Sequence, residues 1–212
     1  MNNSAHLRPW KPARQRWRST NSAALEKKAV RGVLNAICRN NFLLIGDEAQ
    51  LPLLEDIRIS RATFLNRDIT IKYPNTAIQA DPERLPIRPE SMDVVLCAHV
   101  IEQNPHCRAV LQEIHRILKP EGKIVVLGDN RWHLSGWQVN AVSRALKKIG
   151  FSVDRERTFC FPFCHPVIET LGQLLFPAWG ATYMIVAVKT VTPITPLLSP
   201  RFAKPETVQR GY

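Results

Sequence analysis

The chain has 212 residues, 45% of them apolar and 22% charged, enough for one domain with tails whose core needs no stapling. No apolar run approaches the ~20 residues of a membrane-spanning helix. The five cysteines at Cys38, Cys97, Cys107, Cys160 and Cys164 lack the even count and spacing of a disulfide framework, so a soluble, cytoplasmic protein with reduced thiols is expected.

The net charge of +11 is concentrated at the start of the chain. Between Met1 and Arg31 stand Arg8, Lys11, Arg14, Arg16, Arg18, Lys27, Lys28 and Arg31, against Glu26 alone. Trp10 and Trp17 are interleaved with these cations, so the segment could stack on nucleic-acid bases while its cations meet phosphates. An anionic membrane surface or a targeting role fits the same composition. The plainer alternative is a solvated arm whose tryptophans dock on the domain. Residues 1–22 are assigned to this arm, 23–192 to a folded domain and 193–212 to a proline-rich tail.

Within the domain, Ala23 to Ile37 has helical periodicity through Leu25, Val30, Val33, Leu34 and Ile37. Phe42 to Ile45 reads as a strand running into Gly46. A short helix around Leu51 to Ile57 and a weak strand near Ala62 to Leu65 follow. Ser91 to Ala98 is an apolar, β-branched strand. After Pro105, Val110, Leu111, Ile114, Ile117 and Leu118 fall on one helical face. Lys119-Pro120-Glu121-Gly122 must stop that helix, and Lys123 to Leu127 is the next strand. A polar loop, Asp129 to Trp137, precedes a helix from Gln138 to Ile149, capped by Gly150. Phe151 to Phe161 and Tyr183 to Val191 are the last strands. Strand–helix alternation points to an α/β fold with a largely parallel sheet covered by helices on both faces. Cys160, Cys164 and His165 lie close together but lack a second ligand pair, so packing is expected there and no metal site.

The order of pieces from Ala80 to Leu127 carries a resemblance. Asp81-Pro82-Glu83-Arg84-Leu85-Pro86-Ile87, leading into Asp93-Val94-Val95, looks like the segment of class I S-adenosylmethionine-dependent methyltransferases that passes the cofactor's adenine and enters the fourth strand. His99-Val100-Ile101-Glu102 stands where that family has an aliphatic run with a histidine and an acid. Glu113-Ile114-His115-Arg116-Ile117-Leu118-Lys119-Pro120-Glu121-Gly122-Lys123-Ile124-Val125-Val126 resembles the family's helix, proline–glycine turn and fifth strand. The chain is also similar to a small proteobacterial subgroup of the type 11 methyltransferase superfamily. The short strand ending Leu44-Ile45-Gly46 without a glycine-rich loop, the Ala80-Asp81-Pro82 segment, and Tyr183 to Thr190 leading into Pro193-Ile194-Thr195-Pro196 carry that likeness. It implies a Rossmann-like sheet, mostly parallel, with a C-terminal antiparallel hairpin, and S-adenosylmethionine as cofactor.

Methyl transfer from a sulfonium asks chiefly for alignment of nucleophile and methyl group. Cofactor binding asks for backbone close to the ligand, normally through repeated glycines, and for an acid after the second strand to hold the ribose. Here Gly46-Asp47-Glu48-Ala49-Gln50 has one glycine, and Asp68 is the candidate acid. Gly46 and Asp47 are assigned to the cofactor; Asp47 and Glu48 could equally be acids at a helix start. The resemblance assigns Asp81 and Pro82 to the adenine, with a turn-capping Asp81 as the alternative. His99, at the C-terminal end of the fourth strand, is a candidate general base and cofactor neighbour, or else a structural histidine. Glu102 shares both readings. Asn130, Trp132 and His133 are candidates for the wall of the acceptor pocket, or for a surface loop.

The resulting expectation is methyl transfer to a small-molecule or macromolecular acceptor. Two alternatives stand beside it: a non-catalytic binding or regulatory module on the same fold, and an RNA-associated protein using the basic arm.

Overall fold

A computed structural model describes residues 20–37, 40–55, 57, 59–66, 77–129, 137–159 and 182–190. Helix α1 (Thr20–Ile37) leads into β1 (Asn41–Ile45), and a 3-10 segment (Glu48–Leu54) precedes β2 (Arg61–Asn66) and β3 (Ala77–Gln79). Strand β4 (Met92–Ala98), α2 (Cys107–Ile117) and β5 (Leu118–Asp129) follow, then α3 (Trp137–Ile149), β6 (Phe151–Phe159) and β7 (Thr182–Lys189). The seven strands form one sheet in the order β3-β2-β1-β4-β5-β7-β6. The first five run parallel, and β7 is antiparallel to both β5 and β6. The expected parallel sheet with its antiparallel C-terminal pair is present.

Alternation along each strand divides the core into two layers. Leu43, Ile45, Val95, Cys97, Ile124, Val126 and Ile185 pack with Val110, Leu111, Ile114 and Ile117 of α2 and Val142 and Leu146 of α3. Phe42, Leu44, Val94, Leu96, Val125, Leu127 and Val186 pack with Val30, Val33 and Leu34 of α1 and Leu53 of the 3-10 segment. The central strands are therefore apolar on both faces, which is why they read as unbroken runs rather than as alternating ones.

Three local expectations change. The helix expected over Leu51 to Ile57 is a 3-10 segment that ends at Leu54. Pro52 lacks the N–H that an α-helical ladder needs, and the segment's N–H groups reach three residues back, Gln50 to Asp47 at 3.0 Å and Glu55 to Pro52 at 3.3 Å. The turn at Lys119 to Gly122 lies inside β5 rather than before it. Met92 pairs with Leu118 and Val94 with Lys123, so the intervening residues bulge out. Glu121 takes φ 60° there, and a Cβ on Gly122 would stand 2.8 Å from the Lys119 carbonyl oxygen. Strand β3 had no counterpart in the sequence reading.

The basic arm up to Ser19 and the tail beyond Thr190 lie outside the described residues, as do Asp68, Asn130, Trp132, His133, Cys160, Cys164 and His165. Helix α1 begins at Thr20, three residues before the domain start expected from the sequence. Among the described residues no helix is long and apolar enough to cross a membrane.

Candidate functional site

Strands β2 and β3 lie on one side of β1, while β4 and β5 continue on the other. Ligands of open α/β sheets bind beyond the C-terminal ends of the strands at such a switch point. A shallow cleft opens there, lined by Ile45, Gly46, Asp47, Leu65, Asn66, Pro82 and Val100. Four of these, Ile45, Leu65, Pro82 and Val100, are apolar walls, and Asp47 and Asn66 supply polar groups. Three sequence-stated candidates, Gly46, Asp47 and Pro82, thus meet in one place.

The backbone geometry at Gly46 accounts for its glycine. A Cβ there would stand 3.1 Å from the Ala98 carbonyl oxygen, so glycine lets the end of β1 approach the end of β4. One residue on, the Asp47 N–H donates to Gln50 Oε1 at 2.8 Å, and Gln50 is buried. The Gln50 side chain thereby satisfies a backbone donor of the shortened loop.

Asn66 ends β2, where the cofactor acid was sought, and it lines the cleft. Reasoning from sequence passed over it because an acid was expected and Asp68 stood two residues away. Its carbonyl accepts the Ala80 N–H at 3.2 Å, which brings the end of β2 to the start of the Asp81 loop.

That loop is braced from two directions. Asp81 Oδ1 accepts the Glu83 N–H at 3.1 Å, and the Asp81 carbonyl accepts the Arg84 N–H at 2.9 Å. Asp81 therefore caps the turn, as its alternative reading held, and it does so beside the cleft-lining Pro82. From α2, the Arg116 guanidinium donates to the Leu85 and Ile87 carbonyls, both at 2.9 Å, while Glu113 accepts the Leu85 N–H at 3.1 Å. Arg116 and Glu113 are themselves paired at 2.8 Å. The hydrogen bond from Arg116 holds the Glu113 carboxyl below its ordinary range, helped by the Leu85 N–H and opposed by burial.

Beside the cleft, His99 follows the last residue of β4 with φ 55°, a left-handed conformation that ordinary residues rarely take. Its N–H donates to the Leu127 carbonyl at 2.7 Å, fixing the turn against β5. The imidazole is 3% exposed. Nε2 lies 3.5 Å from Glu26 Oε2 of α1, and Nδ1 lies 3.3 Å from both Glu102 Oε1 and Asp129 Oδ1. Glu102 Oε1 also accepts the Asp129 N–H at 2.8 Å.

Burial alone would lower the His99 pKa, but hydrogen bonds with Asp129, Glu102 and Glu26 together raise it well above the ordinary value. Three carboxylates thus favour the charged ring over the neutral one that a general base near neutrality would need. Glu102 likewise anchors His99 and the start of the loop after β5, and its side chain is 4% exposed. Neither residue is among those lining the cleft; Val100, between them, is.

Glu26 is the second residue that sequence reasoning missed. It was counted only as the one acid in a basic stretch. Yet it lies four residues before Val30 and seven before Val33, on the apolar face of α1, and it is 2% exposed. An acid on the buried face of a helix needs a partner, and that position was the available signal.

Residues 56–126 match the family model described as a methyltransferase domain. No curated protein is detectably similar to the chain in sequence. Among solved structures, an S-adenosylmethionine-dependent methyltransferase from Archaeoglobus fulgidus is 16% identical with a TM-score of 0.60, covering 79% of this chain and 94% of that one. One from Mesorhizobium loti is 14% identical with a TM-score of 0.58, covering 79% and 99%. A methyltransferase from Haloferax volcanii, in complex with the Trm112 methyltransferase activator, is 16% identical with a TM-score of 0.58, covering 81% and 94%. At these identities the likeness is one of fold.

Proposed function

We propose that this chain, which carries a methyltransferase domain on the class I fold, binds S-adenosylmethionine in the cleft between β1, β2 and the Asp81 loop and transfers its methyl group. The observation that carries this reading is the cleft itself, which stands at the switch point of the sheet with apolar walls and a polar rim. Such walls suit a flat nucleoside base, and the rim groups suit ribose hydroxyls. Leu65, Pro82 and Val100 would enclose the base, with Asn66 and Asp47 at the sugar. Gly46 lines the same cleft, where its missing side chain lets the ends of β1 and β4 come together.

When bound, S-adenosylmethionine supplies an electrophilic methyl on sulfur, and the acceptor's nucleophile takes that methyl as the sulfur–carbon bond breaks. The chain's own contribution is to align the two partners and exclude water. The ends of β4 and β5 face the acceptor side in this reading, and Asn130, Trp132 and His133 follow β5 directly in sequence, which supports their assignment to the acceptor wall. His99 and Glu102 act as positioning residues, because their side chains are buried and engaged with each other.

Calorimetry of the full chain with S-adenosylmethionine and S-adenosylhomocysteine tests the reading. Saturable binding of both is expected. The titration is run at several temperatures, because a binding enthalpy that vanishes at one temperature reappears at another when apolar surface is buried. No heat at any of them would remove the cofactor from the proposal. One observation favours the non-catalytic alternative: Gln50 satisfies the Asp47 N–H that a glycine-rich loop would leave for a ligand. That alternative expects no binding of either compound.

The basic arm supports contact with nucleic acid or an anionic surface as a second activity of the same chain. RNA affinity that falls steeply with salt and is lost on deleting residues 1–18 is the expected result. Binding that ignores salt would dismiss it. Unpaired cysteine spacing supports a cytoplasmic setting.

A further inference from the structure

Glu26, His99 and Asp129 each place a ligand-type atom within 4.8 Å of the others, and they come from α1, the end of β4 and the end of β5. A fourth group joins them, since Glu102 Oε1 stands 3.3 Å from the same His99 Nδ1 as Asp129 Oδ1 does. The other Glu102 oxygen, Oε2, is buried and accepts no hydrogen bond among the described residues, on a side chain that is 4% exposed. Being bonded to the same carbon as Oε1, it lies beside the cluster. Three carboxylates therefore surround one buried imidazole, and one oxygen of Glu102 accepts no hydrogen bond among the described residues. Such an oxygen is costly unless a cation or donor meets it.

The spacing suits a metal ion. Ligands held at about 2.1 Å from a divalent ion stand roughly 3.0–3.4 Å from each other in octahedral or tetrahedral arrangements. The separations of His99 Nδ1 from Asp129 and from Glu102 are both 3.3 Å. Glu26 meets the opposite ring nitrogen, Nε2, at 3.5 Å. A carboxylate on the second nitrogen is the usual means of fixing the tautomer and orientation of a metal-binding histidine.

We propose that His99 Nδ1, Asp129 and Glu102 form a binding site for a divalent transition-metal ion, with Glu26 orienting the imidazole through Nε2. The ligand set of one nitrogen and two carboxylates suits Mn²⁺ or Zn²⁺ better than a thiolate-seeking ion. On binding, the metal takes the place of the proton on Nδ1, which leaves to solvent. No metal site was expected from the sequence: His99 and Glu102 stand three residues apart, but Glu26 and Asp129 are distant from them along the chain. The proposal does not depend on methyl transfer.

The test uses Mn²⁺, which avoids competition from the five thiols. The purified full chain, stripped with chelator, is titrated with Mn²⁺ while free ion is followed by its paramagnetic resonance signal. Saturable uptake of one Mn²⁺ per chain is expected. Asp129→Asn, at a side chain 47% exposed, should keep the fold and weaken the affinity at least tenfold. Glu102→Gln should also weaken it. Circular dichroism of each variant separates lost binding from lost folding. Absence of saturable uptake by the folded wild-type chain would overturn the proposal, as would an affinity unchanged in folded Asp129→Asn.

Discussion

Arg116 on α2 donates from its guanidinium to the Leu85 carbonyl at 2.9 Å, a contact across 31 residues that ties a helix on one face of the sheet to the loop entering the cleft. The same guanidinium holds the Ile87 carbonyl and the Glu113 carboxylate. The loop that carries Asp81 and Pro82 is therefore set in place by α2 and not by its own hydrogen bonds alone. Arg116→Met keeps the stem of the side chain and removes all of these donors. Truncating such a charge-assisted cluster costs about 1–3 kcal/mol where the partners lose their bonds. Chemical denaturation should show that loss. In the same variant, S-adenosylmethionine affinity should fall because Pro82 is no longer fixed, while an affinity equal to wild type would separate the loop from the cofactor.

The Glu113 carboxyl gives a pH signature. Its folded pKa lies below the ordinary value of 4.5, held there first by the hydrogen bond from Arg116. A depressed carboxyl binds protons more weakly in the folded chain than in the unfolded one. Its stabilisation is thus fully present above about pH 4.5 and disappears as pH falls through the lower folded value. Glu113→Gln removes the charge at every pH. The stability gap between wild type and Glu113→Gln, measured by urea unfolding, should be constant from pH 8 to 6 and should close as pH drops below 4.5. A gap independent of pH would mean that shape and not charge makes the contact.

The parts of the molecule legible from sequence were those where one physical signal dominates. Val94 to Ala98 and Ile124 to Leu127 are buried on both faces, so they read as unbroken apolar strands. Helix α2 announced itself through Val110, Leu111, Ile114 and Ile117 on one face. Gly46 and Pro82 were placed in the cleft from the order of motifs. Strand β3 escaped because three residues, none fully buried, carry no periodicity. The 3-10 segment looked like an ordinary helix start because Pro52 also suits the first turn of an α-helix. Asn66 and Glu26 escaped for another reason. Their roles depend on what faces them across the fold, Pro82 at the cleft and His99 behind it, and no spacing along the chain encodes that.

Gly128 in β5 pairs with Tyr183 in β7, and the strand has no room there for a side chain. A Cβ on Gly128 would stand 2.5 Å from both Cζ and Oη of Tyr183, a residue buried completely. Among the described residues the Tyr183 hydroxyl has no hydrogen-bond partner, so the ring end rests on the bare backbone of Gly128. Gly128→Ala should destabilise the fold by about 1–3 kcal/mol through overpacking. Gly128→Ala combined with Tyr183→Phe should recover part of that loss, because the hydroxyl oxygen is one of the two closest atoms. Equal stability of the two variants would place the clash on the ring carbons alone. Thermal unfolding of the four-member set resolves this, and it reads the packing at the end of β5 that also fixes Asp129.

Asn66 offers a gain rather than a loss. It ends β2 at the edge of the cleft, where the resemblance to class I methyltransferases implies an acid for the ribose hydroxyls. An amide can accept one such hydrogen bond, but a carboxylate accepts it as an ion, and bonds to charged groups contribute about 1.5–3 kcal/mol against about 1 for neutral ones. Asn66→Asp changes one atom of the side chain and leaves the backbone bond from Ala80 to the Asn66 carbonyl intact. If Asn66 faces the ribose, Asn66→Asp should tighten S-adenosylmethionine binding by roughly 0.5–1.5 kcal/mol, about two- to twelvefold at 25 °C. Asn66→Leu, similar in size and without an acceptor, should weaken it. The two substitutions must move affinity in opposite directions, because packing alone would treat Asp and Asn alike. A calorimetric series in which Asp also weakens binding would place the sugar elsewhere in the cleft, against Asp47.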